Sequence, residues 1–152
     1  MPPYVGGMSY EATRLNVSLT ITSLLSIFLT MAHMAADIVL KFSPGGRVNL
    51  LLMAPMAVWL YATLVFGEKR WGYILILILS LAASGLPVIH TMGRSGLSGG
   101  APSSGGFFFA LTLYAVGVIS IVSAVLSARG LWSLRRRQTA PSNAEDSQKA
   151  GK

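Results

Sequence analysis

The chain contains no cysteine and very little charge. Because not one of its 152 residues is a cysteine, disulfide bonds, cysteine-ligated zinc, iron–sulfur clusters and thiol redox chemistry are all excluded. Charged residues make up 11 % of the chain, whereas a soluble domain carries roughly a quarter. Hydrophobic residues make up 53 %, which is more than a small soluble core would bury. The composition therefore favours a membrane protein over a soluble domain.

Motifs for the common enzyme chemistries are absent as well. The sequence has no glycine-rich phosphate loop between a strand and a helix, no nucleophilic serine elbow and no HExxH zinc motif. Only one carboxylate, Asp37, lies within the apolar segments, so no pair of carboxylates is present there for acid–base chemistry. We therefore expect a protein that is not an enzyme.

Four long apolar segments make up most of the chain. They are residues 15–40, 48–67, 71–93 and 106–128. Each is at least as long as the ~20 helical residues that cross a hydrocarbon core of about 30 Å. Their only acidic or basic side chains are His33, Asp37 and His90. The sequence thus predicts an all-α integral membrane protein, an antiparallel bundle of four transmembrane helices with short loops.

Basic residues at the ends of these segments predict the orientation. One side of the membrane receives seven of them: Arg14, Lys69, Arg70, Arg129, Arg135, Arg136 and Arg137. The other side receives three: Lys41, Arg47 and Arg94. The positive-inside rule then places both termini in the cytoplasm, and the compact loops are typical of a bacterial inner (plasma) membrane protein.

The two ends of the chain are polar. Residues 1–14 form a cytoplasmic N-terminal segment, residues 15–128 form the transmembrane domain, and residues 129–152 form a basic cytoplasmic tail that is predicted to be disordered. The formal net charge of +7 arises largely at helix ends, where it serves topology and binds anionic lipid. We therefore expect the lipid bilayer, and not nucleic acid, as the partner of these charges.

A stripe of polar residues runs along the first helix. It consists of Thr22, Ser26, Thr30, His33 and Asp37, which at about 100° per residue fall within roughly an 80° arc. Hydroxyls and small residues in a membrane helix belong against other helices, where they hydrogen-bond and allow close approach. The stripe therefore predicts which side of this helix faces the bundle. Small and polar residues at helical spacing predict the same for the last two helices: Ser80, Ala83, Ser84, Pro87, His90 and Thr91, and Gly117, Ser120, Ala124 and Ser127.

The candidate site lies in the outer half of the bundle. An ionisable side chain at membrane depth costs at least ~2.5 kcal/mol, so it must face protein or water. With a rise of ~1.5 Å per residue, the two histidines share one layer with Asp37, Met53 and Met56. Imidazole and thioether ligands suit copper, and paired histidines also ligate haem b iron. We predict a metal site at His33, His90, Asp37, Met53 and Met56, or a haem held by the two histidines.

Three functions remain open from the sequence. The first is a structural, assembly or binding subunit that packs against other membrane proteins or against a second copy of itself. The second is a copper- or haem-binding membrane protein that uses His33 and His90. The third is a proton-coupled carrier of small solutes that uses Asp37 and His33 as a relay. A simpler reading of Asp37 is an ion pair with Lys41, its neighbour one turn later.

Overall fold

The computed structural model describes residues 6–40, 51, 53–92 and 104–150. Its helices are α1 (Gly6–Leu40), α2 (Met53–Val65), α3 (Arg70–Ser84), α4 (Leu86–Met92) and α5 (Ser104–Ala150). No strand occurs among the described residues, which confirms the predicted all-α fold. The sequence predicts loops at residues 41–47 and 94–105. Residues 41–47 and 94–103, with Lys41, Arg47 and Arg94, lie outside the described residues, and residues 104–105 belong to α5.

Three helical stretches are long and apolar enough to cross a membrane. They are Tyr10–Val39, Arg70–His90 and Gly106–Arg136. Helix α2 is apolar too, but its 13 residues reach only about 20 Å, which is short of the ~30 Å hydrocarbon core. Three of the four predicted spans are thus supported by length and composition. The predicted fourth, residues 48–67, is seen as a shorter apolar helix, with residues 48–50 and 52 outside the described part.

The helices alternate in direction. Asn16 near the start of α1 accepts a hydrogen bond from Tyr73 near the start of α3, and His33 near the end of α1 contacts His90 on α4. Helix α1 therefore runs parallel to the α3–α4 pair. Helix α5 runs the opposite way, because its C-terminal half meets the start of α3, where Ser127 donates a hydrogen bond to the Tyr73 carbonyl at 2.6 Å.

A tight turn makes α2 antiparallel to α3. The Lys69 N–H donates to the Phe66 carbonyl at 2.9 Å, which closes the turn. A Cβ on Gly72 would lie 1.7 Å from the same carbonyl oxygen, so only glycine allows the two backbones to pass this closely. The connection between α2 and α3 is therefore short, as the sequence predicts.

A one-residue break at Gly85 separates α3 from α4. Pro87 in the first turn of α4 has no N–H to donate, and the Gly85 N–H bonds to the Ala82 carbonyl at 3.2 Å. The Pro87 ring packs on α5, where a Cβ on Gly117 would lie 2.8 Å from its Cγ. Because of this break, α4 packs against α5 and His90 points into the bundle.

The interior of the bundle contains both polar and apolar side chains, whereas its outside is largely apolar. Four of the five residues of the predicted stripe, Ser26, Thr30, His33 and Asp37, are buried, which confirms its inward orientation. The predicted ridges of the other helices are largely buried as well, at Ser80, Ala83, Gly117, Ser120, Ala124 and Ser127. Large apolar side chains cover the outside, among them Val17, Ile21, Phe28, Ile78 and Val118. This arrangement suits a bundle that is surrounded by lipid.

The C-terminal end differs from the sequence prediction. Helix α5 continues through Ala150, whereas the composition predicts disorder from residue 129 onwards. Alanine, glutamine, lysine and arginine in this segment are strong helix formers, and an existing helix extends without a new nucleation step. The predicted disorder is therefore not what the structure has at residues 129–150. Helix α1 likewise begins at Gly6, ahead of the predicted start at residue 15.

Candidate functional site

The two histidines of the chain contact each other inside the bundle. Their ring centroids lie 5.3 Å apart, with the ring planes at 79°. His33 on α1 is 3 % exposed, and His90 on α4 is partly buried. The two histidines, which the sequence places at similar depth, thus make a direct edge-to-face contact.

The hydrogen bonds of Thr112 define the state of His33. The Thr112 hydroxyl lies 3.0 Å from the carbonyl oxygens of Phe108 and Phe109, to which it donates its hydrogen. Its oxygen is then an acceptor for the His33 Nδ1–H, at 3.3 Å. In this tautomer Nε2 of His33 carries the lone pair, and that atom is buried without a hydrogen-bond partner in the described part of the chain.

His90 is oriented in the same manner. Its Nδ1 lies 3.0 Å from the Leu86 carbonyl oxygen, which can only accept, so Nδ1 is the donor. A neutral His90 therefore also has its lone pair on Nε2. Imidazoles that bind metals usually have one nitrogen held by an oxygen in this way, which fixes the tautomer and the ring orientation.

Phe109 closes one side of the histidine pair. Its ring centroid lies 4.4 Å from that of His33 and 5.8 Å from that of His90. Two imidazoles on opposite faces of a haem iron need centroids about 6 Å apart, with metal–nitrogen bonds of about 2.0 Å and a porphyrin between the rings. The edge-to-face pair and the adjacent phenyl ring leave no room for a porphyrin, so the geometry does not fit the predicted haem.

Asp37 lies one turn beyond His33 and is also buried. It is 8 % exposed, and its Oδ1 has no hydrogen-bond partner among the described residues. Because Asp37 follows His33 by four residues on α1, the two side chains lie on the same face of that helix. Lys41, the alternative partner of Asp37, lies outside the described residues, so that pairing stays a prediction.

The two predicted methionine ligands, Met53 and Met56, both lie on α2, away from the histidine pair. Helix α2 packs on α1 and α3, and in the described part of the chain it makes no contact with α4 or α5. Met53 is 44 % exposed, and Met56 packs on the apolar core. Among the described residues no group of three or more His, Asp or Glu has the arrangement of a metal site. The structure therefore brings together His33 and His90, with Asp37 near them.

A set of four buried serines lies on the inward faces of α1, α3 and α5. We call it the serine seam, and it consists of Ser26, Ser80, Ser120 and Ser123. All four are fully buried, on α1, α3 and α5, and their hydroxyls have no partner among the described residues. A buried hydroxyl without a partner is costly, and bound water commonly satisfies such groups. Helical spacing in the sequence predicted that three of these serines face the bundle: Ser26 in the polar stripe, and Ser80 and Ser120 among the small residues of the last two helices.

A closed ring of hydrogen bonds joins α1 to α2. Trp59 Nε1 donates to Ser23 Oγ at 2.8 Å, Ser23 lies 2.7 Å from Thr63 Oγ1, and Thr63 donates to the Trp59 carbonyl at 2.9 Å. The sequence stripe included Thr22 instead of Ser23. In the structure Thr22 bonds back to carbonyls of its own helix, whereas Ser23 faces α2.

Fold and site together define an α-helical bundle with membrane-spanning composition and a buried pair of imidazoles. Comparison of the chain with protein-family models, with curated proteins and with solved structures gives no match. The function must therefore be inferred from the geometry of the bundle itself.

Proposed function

We propose that this protein is a membrane protein that binds copper through the paired imidazoles of His33 and His90. The observation that carries the proposal is the orientation of the two rings. Both have Nδ1 directed at an oxygen, and Nε2 of His33 is buried without a partner among the described residues. Copper ranks highest in affinity among the divalent first-row metals, and imidazole is a ligand that suits it.

The surroundings of the pair favour a bound cation. The Asp37 carboxylate supplies negative charge within reach of His33, which offsets the cost of placing a metal ion at membrane depth. Thr112 and the Leu86 carbonyl fix the two rings, so little ordering is needed when the metal binds.

Metal titration of the purified protein in detergent tests this proposal. We expect one copper ion per chain by metal analysis, and competition with a chromophoric Cu(I) chelator gives the affinity. His33→Gln and His90→Gln should each abolish stoichiometric binding. The matched control is Ser120→Ala, a buried polar residue without a ring contact to the histidines, which should bind as the wild type does. Copper binding that survives in both histidine variants would overturn the proposal.

A second candidate function is proton-coupled transport through the bundle. The serine seam favours it, because its hydroxyls have no partner among the described residues and, together with His33 and Asp37, place several polar groups inside the bundle. Reconstituted vesicles with an internal pH-sensitive dye should show proton flux that Asp37→Asn reduces strongly. Flux that is equal in wild type, Asp37→Asn and empty vesicles would refute this candidate. If both assays fail, the histidine pair is a packing element of a structural or assembly subunit.

The proposal includes a bacterial inner membrane location with both termini in the cytoplasm. It is supported by the excess of arginine and lysine on one side of the apolar segments. Reporter fusions that are active only in the cytoplasm, placed after residue 152 and within residues 94–103, test it. Activity of the second fusion and silence of the first would reverse the orientation.

A further inference from the structure

A groove of about 450 Å³ lies between α3 and α5 at the basic end of the bundle. Its lining residues are Leu77, Ala128, Leu131, Trp132, Arg135 and Arg136. The apolar stretch of α5 ends at Arg136, so the groove spans the change from apolar to charged surface. Such a boundary is where a membrane helix meets the lipid headgroups.

The groove is divided between an apolar wall and a cationic rim. Leu77 and Leu131 lie on the apolar side, and Arg135 and Arg136 form the rim. The Arg136 guanidinium lies 5.2 Å from the centre of the Trp132 ring, which positions it by a cation–π contact. Trp132 is 63 % exposed, as expected of an interfacial tryptophan.

The described residues that line this groove carry positive charge at one end, on Arg135 and Arg136. Glu68 lines a smaller neighbouring groove of about 250 Å³ together with Arg70 and Arg135. Arginine binds phosphate through paired N–H donors, and two arginines over an apolar wall complement a phosphate that is attached to an acyl chain. The shape and the charge therefore suit one amphiphilic anion.

We propose that this groove is a binding site for an anionic phospholipid. The headgroup phosphate lies between Arg135 and Arg136, and an acyl chain follows Leu77 and Leu131 along α3 and α5. This site is separate from the copper proposal, because the histidine pair lies beside Phe109 and Thr112 in the first turns of α5, whereas the groove is lined by residues 128–136 of that helix. The two inferences can therefore fail independently.

Native mass spectrometry of the full chain in detergent tests the site with defined lipids. We expect phosphatidylglycerol to be retained in preference to phosphatidylcholine. Two lost cation contacts near the surface should weaken phosphatidylglycerol binding on the order of ten-fold in the variant Arg135→Gln/Arg136→Gln.

The matched control removes the same charge elsewhere at the same end of the bundle, in the variant Arg14→Gln/Arg129→Gln. We expect it to retain phosphatidylglycerol within about two-fold of the wild type. Equal losses in the two double variants would overturn the proposal, because they would indicate surface charge alone. Equal retention of the two lipids, or displacement of the lipid by inorganic phosphate at the same concentration, would overturn it too.

Discussion

Ser23→Ala is expected to weaken the contact between α1 and α2. Ser23 is fully buried and receives the Trp59 indole N–H. Because the Thr63 hydroxyl hydrogen goes to the Trp59 carbonyl, the Ser23 hydroxyl donates to Thr63. Alanine at this position removes both bonds and leaves the indole N–H of a fully buried tryptophan without an acceptor.

The expected loss is about 1–2 kcal/mol in the free energy of unfolding. An orphaned buried donor costs roughly 1–3 kcal/mol in soluble proteins. Hydrogen bonds between membrane helices average about 0.6 kcal/mol, because the separated helices find other partners. Counted as two lost bonds at the membrane average, the loss is about 1.2 kcal/mol; counted as one orphaned donor at the middle of its range, it is about 2 kcal/mol. The two values are not added, because the bond from Trp59 enters both.

Unfolding in mixed micelles with increasing SDS measures this loss. Trp59 reports the transition when the exposed Trp71 and Trp132 are replaced by phenylalanine. The matched control is Ser84→Ala, whose hydroxyl bonds only to the Leu81 carbonyl of its own helix and which should change stability by less than about 0.5 kcal/mol. If Ser23→Ala is as stable as this control, the hydrogen-bonded ring does not stabilise the bundle.

Two further predictions follow from close contacts. Gly130→Ala should destabilise the bundle by about 1–3 kcal/mol, because the added Cβ would lie 2.2 Å from the Tyr73 ring, and thermal unfolding in detergent should show the loss. Its control is Gly85→Ala, where the nearest atom is 3.4 Å away; equal stability of the two variants would contradict the reasoning. Thr112→Val should weaken copper binding about 10–100-fold with the fold intact, because it removes the acceptor for His33 Nδ1–H; an unchanged affinity would show that this bond does not orient the ligand.

Local sequence patterns were sufficient for the helices and for their inward faces. Of the four membrane-spanning helices predicted from the apolar segments, three are long enough to cross a membrane. Helical spacing also placed Ser26 and Thr30 on the buried side of α1. The prediction differed from the structure at the C-terminal tail, where the polar composition favours disorder but the helix propensity of several residues favours a helix. The polar tail reads as disordered by composition, yet it extends an existing helix to Ala150.

The sequence predicted which residues belong to the site, but not which of them are in contact. Depth placed His33, His90 and Asp37 in one layer, because rise per residue is a property of a single helix. The same depth argument included Met53 and Met56, which the structure leaves on α2, a helix without contact to α4 or α5 in the described part of the chain. Distance along a helix axis says nothing about which helix is the neighbour.

The sequence alone determined that this chain forms apolar helices, with a polar face on the first one that carries His33. Only the tertiary structure decided that His90 meets that ring and that Thr112 sets its tautomer. The physical reason is that helical periodicity fixes the angle of a side chain on its own helix, whereas rotation and register between helices depend on packing. Here close approaches determine both, at Gly117 against Pro87 and at Gly130 beneath the Tyr73 ring.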